Sequence, residues 1–335
     1  PPPLLQWQGR DPAEAKLVPN TLASGLDDWP RAVPPHPAEA HVDLLCWAVL
    51  ACQVLGRLRA LVPGTDGGGG GGRSYSEMGA ELLRALEEHH WDEEKGGFYD
   101  LGPYSESGVI EQRIVLRCVN DDRAHKDIDI SMKQYENLES VTEETNPCPG
   151  QFPHIAFPLG DGKGGLLTRE KYAPGPDAEY GHVRHTGYPT VLPLALRLLR
   201  PGDPRLGRLL ALLRDENELW SPHGVRSLSK SDLFYGRENA PGDAPYWRGY
   251  IWINMNYLVL DGLHHYSAVD GPYRERCRAL YEELRENVMQ TVLGSYERTG
   301  YFWEQYHDVT GQGLRSHPFT GWTALVLHIM GETYH

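Results

Sequence analysis

One short unit occurs three times in this chain and restricts how its helices can be connected. In each copy a predicted helix ends at an aromatic residue, a glycine turn follows, and apolar residues then lead to a polar or charged side chain. The copies are Trp91 with GGFYD at 96–100, Trp220 with GVRS at 224–227, and Tyr296 with GYFWE at 300–304. Glycine supplies the positive φ that such turns need, and helices joined in this way stack as hairpins. We therefore expect an all-α fold, either a closed toroid of helical hairpins or an open bundle.

Apolar residues at helical spacing predict about seven helices. They span approximately 38–61, 75–90, 188–199, 205–214, 249–266, 272–293 and 321–334. A ring of six hairpins needs about twelve helices. The chain, 1–335, is therefore expected to supply the later part of one such ring, which would be incomplete in this sequence.

Two segments between these helices lack any regular apolar spacing. Asp66 precedes glycines at 67–72, so residues 64–73 are predicted to form a Gly-rich loop with no side chains to pack. Residues 110–180 are polar and charged, most clearly at 117–144, and we expect an irregular polar insertion there.

The charge and the aromatic content indicate which partners the chain can have. Asp and Glu number 46 against 32 Lys and Arg, a balance that repels phosphate backbones, so we expect no nucleic acid partner. The chain has 18 Tyr and 9 Trp but only 6 Phe. Tyr and Trp join a flat apolar face to a polar tip, which suits a sugar-binding cleft, although they also serve as ordinary core and rim residues.

The cysteine and histidine spacing does not indicate a metal site. The five cysteines show no CxxC pattern, and the His pairs at 89–90 and 264–265 are adjacent, which places their side chains on different helix faces. We therefore expect no metal and no other cofactor, while the cysteine pairing and the redox compartment stay open. Gln53 and Arg57 interrupt the most apolar run, so no membrane contact is expected within this chain.

Two acidic sites have the surroundings that glycosidic bond hydrolysis requires. Asp27 and Asp28 lie in SGLDDWPR at 24–31, and Glu304 lies in the aromatic run YFWEQY at 301–306. An aromatic, partly desolvated pocket raises a carboxyl pKa, as a general acid needs, whereas a carboxylate that holds a water acts as a base. The alternative is structural, with Asp27 or Asp28 capping a turn and Glu304 at the surface.

Four motifs in order resemble glycoside hydrolase family 63. They are SGLDDWPR at 24–31, PYWRG at 245–249, FWEQY at 302–306 and FTGWT at 319–323. Two further segments, LWSPHGVRSL at 219–228 and LVLDGLHHY at 258–266, resemble the eukaryotic members that process N-glycans. The likeness covers about 18–60 and 185–335, with a looser match at 86–102.

The resemblance implies a catalytic (α/α)6 domain of the six-hairpin glycosidase type, of which this chain would be the later part. It implies an exo-acting, inverting α-glucosidase that removes the terminal α-1,2-linked glucose from the triglucosylated N-glycan precursor. The family's general acid falls on Asp27 and its general base on Glu304. The residues that would bind the sugar are Asp28, Arg31, Trp247, Arg248, Trp252, Trp303 and Trp322.

The same resemblance implies where the protein works. The expected partner is the glucosylated N-glycan on nascent glycoproteins, in the lumen of the endoplasmic reticulum, with a membrane anchor upstream of this chain. Two other functions stay open: a carbohydrate-binding fragment without catalytic activity, or another helical-toroid hydrolase that acts on trehalose or starch.

Overall fold

The computed structural model describes residues 4–61, 73–138 and 145–334. A 3-10 turn at Leu22–Ser24 comes first, a π-helical turn at Leu86–His90 extends the second helix, and a 3-10 turn at Trp322–Leu325 precedes the last helix. The α-helices are α1 Val42–Leu61, α2 Tyr75–Ala85, α3 Met132–Glu136, α4 Tyr188–Ala195, α5 Pro204–Arg214, α6 Ile253–Ala268, α7 Arg274–Thr299 and α8 Val326–Met330.

The strands occur in short antiparallel groups between the helices. They are β1 Trp91–Asp92, β2 Gly97–Phe98, β3 Asp100–Tyr104, β4 Val109–Val119, β5 His125–Ser131, β6 His154–Pro158, β7 Thr168–Ala173, β8 Glu179–Val183, β9 Trp220–Ser221, β10 Gly224–Val225, β11 Gln305–Tyr306 and β12 Gly313–Leu314. The pairs β1–β2, β3–β8, β9–β10 and β11–β12 form two-stranded sheets, and β4 pairs with β5, β6 and β7.

The expected all-α fold, an incomplete (α/α)6 toroid, is wrong, because the described residues form a mixed α/β fold with several antiparallel sheets. The repeated turns account for part of the error. Two of them are β-hairpins, in which Trp91 pairs with Phe98 and Trp220 pairs with Val225. The aromatic residue therefore begins a strand, and the residue after the glycine lies across from it. Pairing of the backbone on both sides stabilises each turn as a hairpin.

The second and third repeats are held side by side through the backbone of Ile251. Its N–H donates to the Tyr306 carbonyl oxygen at 2.8 Å, and its own carbonyl oxygen accepts from the Tyr306 N–H at 3.0 Å. Ile251 also forms an antiparallel bridge with Arg226. These bonds place the PYWRG and FWEQY motifs next to each other, although more than 50 residues separate them in the chain.

The irregular polar insertion expected at 110–180 is also wrong for the described part of that segment. β4 is its central strand and pairs with three neighbours, and Ile114, Leu116 and Ile130 form a small core of their own. Cys118 of β4 forms a disulfide with Cys148. Long-range pairing gives regular structure to residues whose composition alone suggests none.

The main core lies around α4 and α6. All eight residues of α4 are buried, and α6 packs against α4 on one side and α7 on another. At Gly262 a Cβ would lie only 2.5 Å from the Leu194 carbonyl oxygen, so the two helix backbones approach closely there because glycine has no side chain. Trp247 and Trp252, in the segment before α6, belong to the same core.

Helix α1 is long and apolar enough to cross a membrane by length and composition, which the interruptions at Gln53 and Arg57 did not lead us to expect. Core helices of folded domains meet the same criterion. Its first half packs in the main core, where the Asp43 carboxylate pairs with Arg31 at 2.7 Å. Its second half exposes apolar side chains, among them Leu58 and Leu61.

The Gly-rich loop expected at 64–73 lies outside the described residues except for Arg73.

Cys46, Cys52 and Cys277 are buried free thiols, and burial raises the pKa of Cys46 well above its usual value.

Candidate active site

The loop that carries Asp27 is shaped by local backbone bonds. The 3-10 turn at Leu22–Ser24 ends at Gly25, whose φ of 74° reverses the chain. The Thr21 N–H then donates to the Asp27 carbonyl oxygen at 2.8 Å. Trp29 is buried in the core, whereas Asp27 stays partly exposed. The loop therefore presents the Asp27 carboxyl at the surface of a well-anchored turn.

Asp28 joins this loop to a segment 218 residues further along the chain. Its carboxylate accepts hydrogen bonds from the backbone N–H groups of Tyr246, at 3.0 Å, and Trp247, at 2.6 Å. The Arg248 Nε donates to the Asp28 carbonyl oxygen at 2.9 Å. Both oxygens of the Asp28 carboxylate are used in holding Tyr246 and Trp247 beside Asp27.

Tyr246 connects the two predicted catalytic carboxyl groups. Its hydroxyl donates a hydrogen bond to Oε1 of Glu304. Burial raises the pKa of Tyr246, and the hydrogen bond and charge of Glu304 and the charge of Asp27 raise it further. Asp27 and Glu304, 277 positions apart in sequence, therefore act electrostatically on the same phenol.

Glu304 is held by its backbone as well as by its side chain. Its N–H donates to the Ser316 carbonyl oxygen at 3.1 Å, and its Oε2 accepts from the Ser316 N–H at 3.2 Å. The Trp322 Nε1 donates to the Glu304 carbonyl oxygen at 2.6 Å. Only 8% of Glu304 is exposed. A carboxylate held this firmly can orient a water molecule, because its own rotamer is restricted.

Asp27 has the properties of a proton donor. Burial raises the pKa of its carboxyl, and the neighbouring Asp28 charge raises it further. Its carboxyl makes no hydrogen bond with another residue in the described part of the chain. A carboxyl that holds its proton to higher pH and has no protein partner is suited to donate to a leaving group.

Aromatic rings surround Tyr246. The Trp247 and Trp252 rings stack with centroids 3.6 Å apart and an interplanar angle of 7°. Tyr246 meets Trp252 edge-on at 4.6 Å, and Trp322 lies 5.5 Å from Trp252. Trp247 and Trp252 are buried, whereas Trp322 is partly exposed.

The structure brings seven of the nine predicted site residues together around Tyr246. They are Asp27, Asp28, Trp247, Arg248, Trp252, Glu304 and Trp322. Trp303 is next to Glu304 in sequence, and its ring is 3.8 Å from His317. Arg31 is elsewhere: it is fully buried and forms ion pairs of 2.7 Å with both Asp43 and Asp100.

Two of the predicted sugar-binding residues use their hydrogen-bonding groups within the protein. Arg248 is 1% exposed, and besides Asp28 its guanidinium donates to Asn239 Oδ1 at 2.7 Å. Both oxygens of the Asp28 carboxylate accept hydrogen bonds from the backbone N–H groups of Tyr246 and Trp247. Arg248 and Asp28 thus brace the site.

Tyr246 is a candidate functional residue that we did not single out from the sequence. The signal was its place in PYWRG, immediately before two predicted site residues. The hydrogen bond from Tyr246 to Glu304 depends on the bonds that Asp28 makes to the backbone of Tyr246 and Trp247, and the spacing of residues in the sequence could not predict it.

Within 4–61, 73–138 and 145–334 no group of three or more His, Cys, Asp or Glu side chains could hold a metal ion.

Comparison with known proteins identifies the family. Residues 3–145 and 163–332 match the model of the glycosyl hydrolase family 63 C-terminal domain. The chain is 36% identical over 329 residues to mannosyl-oligosaccharide glucosidase GCS1 of Arabidopsis thaliana, covering 98% of this chain and 34% of that protein. It is 37% identical over 333 residues to a probable mannosyl-oligosaccharide glucosidase of Schizosaccharomyces pombe, covering 98% of this chain and 30% of that protein.

Among solved structures, a GH63 mannosylglycerate hydrolase from Thermus thermophilus in complex with Tris aligns with a TM-score of 0.47 and 17% identity, covering 88% of this chain and 45% of that one. The chain spans about a third of the length of the curated relatives it matches. The family model nevertheless covers nearly all of it, and the chain belongs to glycosyl hydrolase family 63.

Proposed function

We propose that the protein containing this chain is an inverting, exo-acting α-glucosidase that removes the terminal α-1,2-linked glucose from the triglucosylated N-glycan precursor. Family membership supports a glycoside hydrolase, and two relatives that match 98% of the chain are named mannosyl-oligosaccharide glucosidases. The observation that carries the proposal is that Tyr246 connects the two predicted carboxyl groups: its hydroxyl donates to Glu304, and its backbone N–H donates to Asp28, the neighbour of Asp27.

In the proposed reaction Asp27 is the general acid and Glu304 is the general base. Asp27 transfers its proton to the glycosidic oxygen as the bond from that oxygen to the anomeric carbon breaks. A water molecule attacks the anomeric carbon from the opposite face and gives a proton to Glu304, so the released glucose has inverted configuration. Water must fit between the base and the sugar, so we expect the two carboxyl groups to stand roughly 6.5–9.5 Å apart.

Tyr246 would position the base. Its hydroxyl occupies one oxygen of Glu304 and the Ser316 N–H approaches the other, which restricts the direction from which a water can be held.

For the sugar itself, the partly exposed Trp303 and Trp322 are the candidates for stacking on the glucose ring. We assign Asp28, Arg248, Trp247 and Trp252 to supporting positions behind Tyr246, because they are buried and contact the protein. Arg31 stabilises the fold beneath the Asp27 loop through Asp43 and Asp100.

The proposed compartment is the lumen of the endoplasmic reticulum. The Cys118–Cys148 disulfide supports an oxidising environment, since structural disulfides form there and are rare in the cytosol. A substrate on nascent glycoproteins is found in the same compartment.

The test is glucose release from triglucosylated N-glycan by the protein that contains this chain. Asp27→Asn and Glu304→Gln should each lower kcat by about 10²-fold or more. Proton NMR of the first product should show the β-anomer, since inversion at an α-linkage produces it. Hydrolysis at the parental rate by both variants would refute the assignment, and turnover of trehalose in place of the glycan would refute the substrate class. Glycan binding without any turnover by the parent would favour the carbohydrate-binding function instead.

A further inference from the structure

One cavity in the described structure shares no lining residue with the Tyr246 site. It has a volume of about 430 Å³, within the size range of small-molecule sites. It lies where the end of β3, the loop before α4 and the segment after β10 meet. We call it the Tyr104 cavity, and its main lining residues are Tyr99, Tyr104, Tyr172, His185, Glu218 and Phe234.

One wall of the Tyr104 cavity is aromatic. The rings follow one another in edge or tilted contacts: Tyr104 meets His185 at 5.6 Å, His185 meets Phe234 at 5.3 Å, and Phe234 meets Tyr172 at 5.7 Å. Asp232 fixes the His185 ring through its Nδ1 at 2.8 Å. The wall is thus a preformed, rigid apolar surface, which is suited to the C–H face of a pyranose ring.

Other lining groups are polar and already positioned. Glu218 accepts hydrogen bonds from the hydroxyls of Ser229 and Ser231, and the Tyr99 hydroxyl pairs with Thr186 Oγ1 at 3.0 Å. Carboxylate and hydroxyl oxygens fixed in this way retain lone pairs that can accept from sugar hydroxyls.

The Tyr104 hydroxyl lines the cavity and makes no hydrogen bond to the described part of the chain. It can donate to or accept from a ligand. Burial raises the pKa of Tyr104, and nearby Asp232 raises it further, so the hydroxyl keeps its proton.

The charges around the cavity disfavour an anionic ligand. Glu106, Glu218 and Asp232 line it together with Lys95 and Arg184. The Arg184 guanidinium is already committed, since it donates to Asp92, Glu94 and Glu106. An incoming phosphate or carboxylate would therefore meet more unneutralised negative than positive charge.

From the aromatic wall, the fixed oxygens and the acidic lining, we infer that the Tyr104 cavity is a second binding site, for a neutral hexopyranosyl unit. The assignment goes beyond the proposed hydrolysis and does not depend on the roles of Asp27 and Glu304. Phe234 lines the cavity and also contacts the Tyr246 site, because the Arg248 guanidinium lies 5.7 Å from the centroid of its ring.

The test is an NMR titration of the protein that contains this chain with methyl α-D-glucopyranoside and, separately, methyl α-D-mannopyranoside. At least one should bind in the Tyr104 cavity, shifting the ring resonances of Phe234 and Tyr172. Tyr104→Phe should weaken that binding about fivefold, the loss of one hydrogen bond, and leave the unfolding temperature unchanged. Glu218→Gln is a second variant with the same expected direction, and Tyr301→Phe, which changes an exposed tyrosine outside the cavity, is the matched control.

Three results would overturn the inference: neither glycoside shifts these resonances, both cavity variants bind as tightly as the parent, or inorganic phosphate binds the cavity in preference to the glycosides. Glucose release is measured on the same variants. Failure of the proposed hydrolysis would appear as unaffected turnover in the Asp27 and Glu304 variants, and failure here would appear only in the cavity titration.

Discussion

The Tyr246 hydroxyl donates a hydrogen bond to Glu304, and the Tyr246 backbone N–H donates to Asp28, the neighbour of Asp27. One residue thus connects the two predicted halves of a hydrolytic site. The side chain contacts the proposed base, while the backbone is bonded to the loop of the proposed acid.

Replacing Tyr246 with Phe removes only the hydroxyl and should lower kcat about tenfold, because Glu304 loses a charge-assisted hydrogen bond. KM should change less, since the aromatic ring and its contact with Trp252 remain. Steady-state glucose release measures both constants. An unchanged kcat would mean that Glu304 needs no positioning by this phenol, and Tyr75→Phe, at the start of α2, serves as the control for a tyrosine outside the site.

The pH dependence of activity should reflect the pKa of the Asp27 carboxyl. A general acid must be protonated, so activity is lost as pH rises through its pKa, which burial and Asp28 raise. The nearby Lys16 charge lowers the same pKa. Lys16→Met should therefore move the basic limb of the kcat/KM profile to higher pH.

Lys133→Met, in α3 and far from Asp27 in sequence, is the charge-matched control and should leave the profile in place. A basic limb that shifts downward in Lys16→Met, or equally in both variants, would contradict Asp27 as the acid.

Asp28→Ala should destabilise the protein by about 2–4 kcal/mol, because the N–H groups of Tyr246 and Trp247 lose a charged partner. Turnover should fall as well, since the segment that holds Tyr246 is released. Thermal unfolding and glucose release are measured in parallel. Asp270→Ala removes a carboxylate that is 99% exposed, and its effect should stay within about 0.5 kcal/mol.

The role of Arg31 can be decided by a stability measurement. Arg31→Met leaves the buried carboxylates of Asp43 and Asp100 without their cation and should cost about 3–5 kcal/mol. If Arg31 instead binds glucose, the variant should unfold normally and show a raised KM. Chemical denaturation separates the two outcomes before any assay of activity.

The positions of most helices could be predicted from the sequence, because apolar spacing reflects a local period. The helix expected at 75–90 is observed as α2 with its π-helical turn, and that at 205–214 is observed as α5. The sheet around β4 could not be predicted in this way. Ile114, Val115 and Leu116 are buried in succession, and their strand order depends on partners as far away as Thr168.

The same division holds at the candidate site. The motifs alone predicted Asp27, Glu304 and the PYWRG segment as site residues, since a chemical function requires particular residue types and these are present in the sequence. Only the tertiary structure decided that Tyr246 reaches Glu304, that Asp28 and Arg248 brace the site, and that Arg31 lies in a separate ion cluster. The direction of a side chain is set by bonds to segments some 200 residues away, such as that from Tyr246 to Asp28, and local spacing carries no information about them.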